Sequence, residues 1–154
     1  MRHWLLKSEP TSFGIDALAR APRRTTSWDG VRNFQARNML RDDMQRGDEA
    51  FFYHSSCEVP GIVGIVQITK AGYPDPTAFD RRHPHYDPES LRSKPRWFMV
   101  DIRLRRKFAR VITLDELRAH EAKELQGLVL LRPGNRLSVM PVAAAHWQFI
   151  CSLE

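Results

Sequence analysis

A chain of 154 residues is long enough for one domain with one real core. Hydrophobic residues make up 42% and charged residues 27%, which excludes a disordered chain, and no apolar run reaches the roughly 18 residues that a membrane helix needs. The net charge of +6 is unevenly placed: Arg81–Arg110 holds ten Lys and Arg against three Asp and Glu, +7 by itself, the footprint of a polyanion partner.

In chain order, Arg2–Lys7 reads as a short strand broken by Ser8-Glu9-Pro10, and a helix follows over about Ser12–Arg20. Arg23–Ser27 reads as a polar loop leading to Trp28. The stretch Trp28–Asn38, WDGVRNFQARN, then opens a helix predicted to run to about Gln45, with Gly47 as its C-terminal stop. On a 3.6-residue wheel Ala36, Met39, Leu40 and Met44 form its apolar face, and Arg32 and Asn33 fall on or beside that face. Two readings of those polar groups stand. Trp28 can stack on a flat ring, Asn33 can read a ring edge with a donor and an acceptor, and the helix start favours an anion. Alternatively Asn33 is the N-cap, Arg32 an ion-pair member and Trp28 a core plug.

Glu49–Ser55 and Gly61–Gly72 are predicted strands joined by a hairpin loop, SCEVP. Phe52 and His54 share one face, with Phe51, Tyr53 and Ser55 on the other, so His54 and Ser55 are poorly placed as base and nucleophile. No nucleophile-elbow pattern accompanies them. Tyr73–Pro95 is a long, proline-rich loop. Its His83, His85 and Asp87 are metal-capable, but their spacing matches no zinc pattern. A loop covering a polyanion and a plain solvated loop both fit it.

The clearest strand is Trp97–Phe108, with Phe98, Val100, Ile102 and Leu104 on one face and Trp97, Met99, Asp101, Arg103 and Arg105 on the other. Thr113 and Glu116 stand at capping-box spacing for a short helix. Arg136–Val142 is a last strand running into a C-terminal helix with Pro141 near its start and Val142, Ala145, Phe149 and Ile150 as its buried stripe. Central strands with peripheral helices and no regular alternation give an α+β class, with a curved, mostly antiparallel sheet closing towards a small barrel. Cys57 and Cys151 lack metal or redox spacing and read as reduced thiols of a cytoplasmic protein. No phosphate loop, dinucleotide glycine pattern or carboxylate pair is present, so no catalytic residue, metal or cofactor is expected.

The segments WLLKSEP, WDGVRNFQARNMLRDDMQRGDEAFFYHS, GIVGIVQI, YPDPTAFD, HYDPES, PRWFMVDI and RLSVMPV occur in the order typical of the EVE domain. The chain resembles this family over essentially its whole length, as a single domain spanning residues 1–154. The resemblance implies a PUA-like fold, a curved β-barrel flanked by helices, related to readers that take a single modified base into a pocket. It implies a non-catalytic reader of modified DNA or RNA. By motif match the pocket is approached by Lys7 and Ser8, by Trp28, Val31, Arg32 and Asn33, and by Tyr53, His54 and Ser55, with Trp97 and Ser138 as further candidates. Phosphates would be held by Arg81, Arg82, Arg92, Lys94, Arg96, Arg103 and Arg105. Phe34 stands where the family commonly has Tyr, and Ser56 where it often has Asn. Without the basic extension of the animal nuclear members, the expected setting is the cytoplasm and a stand-alone protein of bacterial type. The alternative function is a small-molecule or nucleotide sensor using the same pocket.

Overall fold

The computed structural model describes residues 1–154 and places six strands in one sheet. They are β1 (His3–Ser8), β2 (Thr25–Trp28), β3 (Glu49–His54), β4 (Gly61–Pro74), β5 (Phe98–Thr113) and β6 (Val139–Val142). Their order across the sheet is β2-β5-β4-β3-β1-β6, antiparallel throughout except for β1 beside β3. The helices are α1 (Ile15–Arg20), α2 (Phe34–Asn38), α3 (Leu114–Ala119) and α4 (Ala144–Ser152). None is long and apolar enough to cross a membrane.

This is the expected α+β class with a mostly antiparallel sheet, but the expected closure into a barrel is absent from the strand pairing. β2 and β6 end the ladder unpaired with each other. Both are only four residues long and offer few rungs. The long β4–β5 ladder changes register at several points, between Ile62 and Gly64 and again between Lys70 and Tyr73 among them. Such irregularities bend a sheet without requiring its edges to meet.

Period-two alternation fills both faces. Trp4, Leu6, Ala50 and Phe52 join Trp28, Val31, Ala36, Leu40, Val100 and Ile102 in one buried cluster. Leu5, Phe51 and Tyr53 point the other way, into a second cluster with Ile112, Leu117, Trp147 and Ile150. There Trp147 stacks on Phe51 with ring centroids 3.9 Å apart. It takes the central place in α4 that Ala145, which is exposed, was expected to share.

Several element boundaries differ from the sequence reading: β4 runs on to Pro74, β5 to Thr113, and the last strand begins at Val139 rather than Arg136. Thr25–Trp28 is a strand rather than a loop, paired with Val100–Arg103. The second helix stops at Asp43 rather than Gln45, because its last turn, Met39–Asp43, widens to π geometry and Met44 N–H reaches back to Met39 O. The next free amide, on Gln45, is taken by the Asp48 carboxylate at 3.0 Å, so no glycine stop is needed. The first helix begins at Ile15, three residues late, since Ser12 and Phe13 are held in a turn on Glu9 O.

Candidate functional site

One cleft of about 680 Å³ opens where the ends of β1 and β2 approach the Tyr73–Pro95 loop. Lys7 and Ser8 line it from β1, Thr26, Ser27 and Trp28 from β2, Asp29–Arg32 from the following turn, and His83 and His85 from the loop. Ser138 completes the rim, and its carbonyl accepts from Lys7 N–H at 2.8 Å. Of the residues nominated from the sequence, the cleft therefore gathers Lys7, Ser8, Trp28, Val31, Arg32 and Ser138. It does not gather Asn33, Tyr53, His54, Ser55 or Trp97.

The helix entrance resolves the choice that its pattern left open. Asn33 is the N-cap of α2, its Oδ1 accepting from Ala36 N–H at 2.9 Å. Trp28 is 8% exposed and meets Phe52 edge to face at 5.6 Å. It therefore closes the cleft floor instead of presenting a whole ring face. Arg32 is a strut. Its Nε donates to His85 O at 3.1 Å, Nη1 to Val31 O and Asp75 Oδ2, and Nη2 to Thr77 Oγ1 and His85 O. Five bonds occupy all five N–H donors of the guanidinium, so none is left for a phosphate or a base edge. Arg32 also lies 5.3 Å over the Trp97 ring.

Asp75 anchors this strut. The carboxylate is fully buried and accepts from Gly30 N–H at 2.9 Å, from Arg32, and from both the amide and hydroxyl of Thr77. Burial alone would raise its pKa, but the bonds from Thr77, Gly30 and Arg32 outweigh burial and hold it below the ordinary value. Gly30 has a φ of +77°, which favours glycine, and a Cβ there would stand 2.6 Å from Nε2 of the exposed His85 ring, which would have to shift. His85 is thus seated directly on the turn, and its N–H donates to His83 Nδ1 at 3.0 Å. Trp97 sits behind the strut, donating from Nε1 to Asp87 at 2.6 Å and stacking on the exposed Phe34.

Two of the cleft's hydroxyls have a defined polarity. Ser8 Oγ donates to Phe13 O at 2.6 Å, and Ser27 Oγ donates to Asp101 Oδ1 at 3.0 Å. The Tyr73 hydroxyl is also bonded to Asp101. With their protons committed inward, Ser8 and Ser27 offer only lone pairs to an occupant. Asp29, exposed on the rim, adds two more acceptor oxygens. Ser27 and Asp29 flank Trp28; Ser27 falls in the stretch that reads as a polar loop, and Asp29 in the stretch that reads as a helix entrance. His83 and His85 were singled out there only as weak metal ligands. No group of three or more His, Cys, Asp or Glu side chains is placed to hold a metal.

Most of the remaining nominated residues lie outside the cleft. Tyr53 belongs to the opposite cluster, and burial pushes its phenol up to about 12. Lys7 Nζ lies 5.8 Å from the Tyr53 ring, and burial lowers its pKa. Ser55 N–H donates to Ser8 O, tying β3 to β1. His54 lines a separate cleft with Asp16 and Lys107, where its Nε2 accepts from Ile15 N–H at 3.1 Å and starts α1. Arg81, Arg82, Arg92, Lys94 and Arg105 are exposed. Arg96 is paired with Asp87 and Glu89, and Arg103 bonds Gln67.

Burial is the main cause that lowers the His54 pKa below its ordinary 6.5. The bond from Ile15 requires the neutral ring, so protonation opposes folding. A folded pKa below the unfolded one means that this contribution is complete above about pH 6.5 and is lost as pH falls through the folded value. Urea midpoints are therefore expected to fall between pH 7 and pH 5. In His54→Gln, whose amide oxygen can accept the same bond without titrating, that fall is expected to be shallower.

Comparison with known proteins gives a consistent picture. The EVE domain model matches residues 2–153. Thymocyte nuclear protein 1 of Homo sapiens is 46% identical, over 99% of this chain and 73% of that protein. A crystal structure of the human protein in complex with 5-methylcytosine-containing DNA superposes with a TM-score of 0.94 at 45% identity, covering 99% of this chain and 97% of that one. A Pseudomonas putida protein superposes with a TM-score of 0.92 at 48% identity, covering 98% of each chain.

Proposed function

The chain belongs to the EVE domain family, and from that membership and the chemistry of the cleft we propose that it is a non-catalytic DNA-binding protein that reads one modified base. The observation that carries this reading is the cleft itself: an open, polar cavity floored by Trp28 and walled by committed hydroxyls, in a chain whose close human relative is in complex with 5-methylcytosine-containing DNA. A base inside a duplex is out of reach of such a cavity, so one nucleotide turns out of the stack to enter it.

The acceptor wall sets what the base edge must supply. Ser8 Oγ, Ser27 Oγ and the Asp29 carboxylate favour an exocyclic amino group, as on cytosine, over a carbonyl. The partly apolar floor at Trp28 and Val31 favours a methyl substituent on the ring. Arg32 takes no part in reading; it fixes the Gly30 turn against the His85 loop and so sets the cleft's width. Stacking and edge contacts supply only about 1–3 kcal/mol per base. The exposed Arg81, Arg82, Arg92 and Lys94 of the loop add phosphate contacts, which makes binding steeply salt-dependent.

Asp29→Ala tests the edge assignment. Matched oligonucleotides carry 5-methylcytosine or thymine at one position, the latter being the same ring with an oxygen in place of the amino group. The wild-type chain is expected to prefer 5-methylcytosine, and Asp29→Ala to lose about 1–3 kcal/mol of that preference. Because Asp29 is exposed, its thermal midpoint should hardly move. An unchanged preference in the variant would remove Asp29 from the reading.

A further inference from the structure

Beyond the reading cleft, the surface between α2 and the segment joining Val129 to β6 carries a second feature. A groove of about 400 Å³ runs along the 132–137 loop, bordered by Asn33, Gln35, Arg132, Asn135 and Arg136. No Asp or Glu lines it. At Val129, Arg132 and Pro141 it meets a further depression of about 480 Å³, again without a carboxylate, that ends at Arg2 and His146. At its other end it abuts the reading cleft through two pairs of chain neighbours. Arg32 lines the cleft while Asn33 lines the groove, and Ser138 lines the cleft while Leu137 lines the groove.

The loop is built to hold its cations outward. Asn135 Nδ2 donates to Val129 O at 3.1 Å, its Oδ1 accepts from Leu137 N–H at 3.1 Å, and its own N–H donates to Arg132 O. Gly134 supplies the left-handed residue that the turn requires, with φ +75°. Asn135 thereby stiffens the loop from inside, while Arg132 and Arg136 are exposed and in no ion pair. Arg41, Arg96, Arg106 and Arg110 are matched to carboxylates, whereas Arg132 and Arg136, like Arg20, Arg81, Arg82 and Arg118, are not. Two unmatched guanidinium groups on a hydrogen-bonded loop, beside a carboxylate-free groove that adjoins the cleft, suit a row of phosphates.

We propose that the Arg132–Leu137 loop is a second DNA contact, in which Arg132 and Arg136 hold the phosphates of the strand as it continues past the nucleotide in the cleft. This rests on the DNA reading of the cleft and extends it to a surface outside the basic Arg81–Arg110 segment. Phosphate contacts position the duplex without reading sequence, so the loop sets affinity and register, not base preference.

The test is titration of matched 5-methylcytosine and unmodified duplexes at several salt concentrations. It uses the wild-type chain, an Arg132→Ser/Arg136→Ser variant, and an Arg20→Ser/Arg118→Ser variant that removes the same charge from the ends of α1 and α3. Loss of the two loop contacts is expected to flatten the log affinity against log salt slope by about 2 and to weaken both duplexes by the same factor. The ratio between duplexes should be retained, and the α1/α3 variant should keep the wild-type slope. A loop variant with the slope of the α1/α3 variant overturns the loop contact while leaving the cleft reading intact. Equal wild-type affinity for both duplexes, with the slope still flattened in the loop variant, overturns the cleft reading and keeps the loop contact. Absence of binding to either duplex overturns both.

Discussion

Asp75→Ala is expected to lower the thermal midpoint by roughly 10 °C. Asp75 is fully buried and is the common acceptor for Gly30 N–H, the Arg32 guanidinium and both donors of Thr77. Truncating it leaves a half-buried cation and a main-chain amide unpaired, a loss of about 3–5 kcal/mol. In a domain of this size each kcal/mol moves the midpoint by about 2–4 °C. The loop bearing His83 and His85 should also come loose, since Arg32 ties that loop down through His85 O. Differential scanning calorimetry checks the first effect and amide exchange of residues 83–87 the second. The same carboxylate makes the fold acid-sensitive. Its folded pKa lies below the ordinary 3.8, so its contribution is present above about pH 4 and disappears as pH falls through the folded value.

Trp28→Ala is expected to cost about 3–5 kcal/mol of stability, as large aromatic truncations in a core do. Trp28 is 8% exposed and packs edge to face on Phe52 within a cluster that also holds Val31, Ala36, Leu40 and Val100. Binding by that variant is therefore read against its folded fraction, which thermal denaturation measures. Trp28→Phe keeps an aromatic floor while shortening it. It should retain most of the stability and the salt dependence, yet weaken the preference for a modified base, because a smaller ring floors the cleft less completely.

The legible parts of this fold are those with long, regular patterns. Alternation placed β3, β4 and β5, and the Thr113–Glu116 spacing gave the α3 cap, with Thr113 Oγ1 accepting from Glu116 N–H at 3.1 Å. The apolar wheel positions Ala36, Leu40 and Met44 are all buried. Illegible from pattern were features that depend on distant partners. Thr25–Trp28 is four residues of mostly polar chain, and only pairing with Val100–Arg103 makes it a strand. The π turn at Met39–Asp43 is followed by the amide of Gln45 bonded to Asp48, a carboxylate whose other donors, Arg2 N–H and Trp4 Nε1, come from β1 and the residue before it.

The site shows the same division. The WDGVRN stretch was marked as unusual from the wheel, and family resemblance drew Trp28, Arg32 and Asn33 towards a pocket. Their placement bears out the second reading of the pattern: Asn33 is the N-cap, Arg32 pairs with Asp75 as a fully bonded strut, and Trp28 is a core residue that still reaches the cleft. The strut's partner, Asp75, sits over forty residues away in a loop whose sequence reads only as proline-rich and polar. Tyr53 was drawn to the pocket by its place in the YHS motif, but the alternation of β3 turns it to the other face.

The most direct test of the central claim is the affinity of the wild-type chain for two duplexes that differ by a single cytosine methyl group, measured at matched salt. On the proposed reading, burying one methyl group against Trp28 and Val31 contributes about 0.8 kcal/mol, a preference of roughly three- to fivefold. A preference in that range for the 5-methylcytosine duplex is the expected result. Equal affinity for the two duplexes at every salt concentration would contradict the reading of a modified base and leave a protein that binds only the DNA backbone.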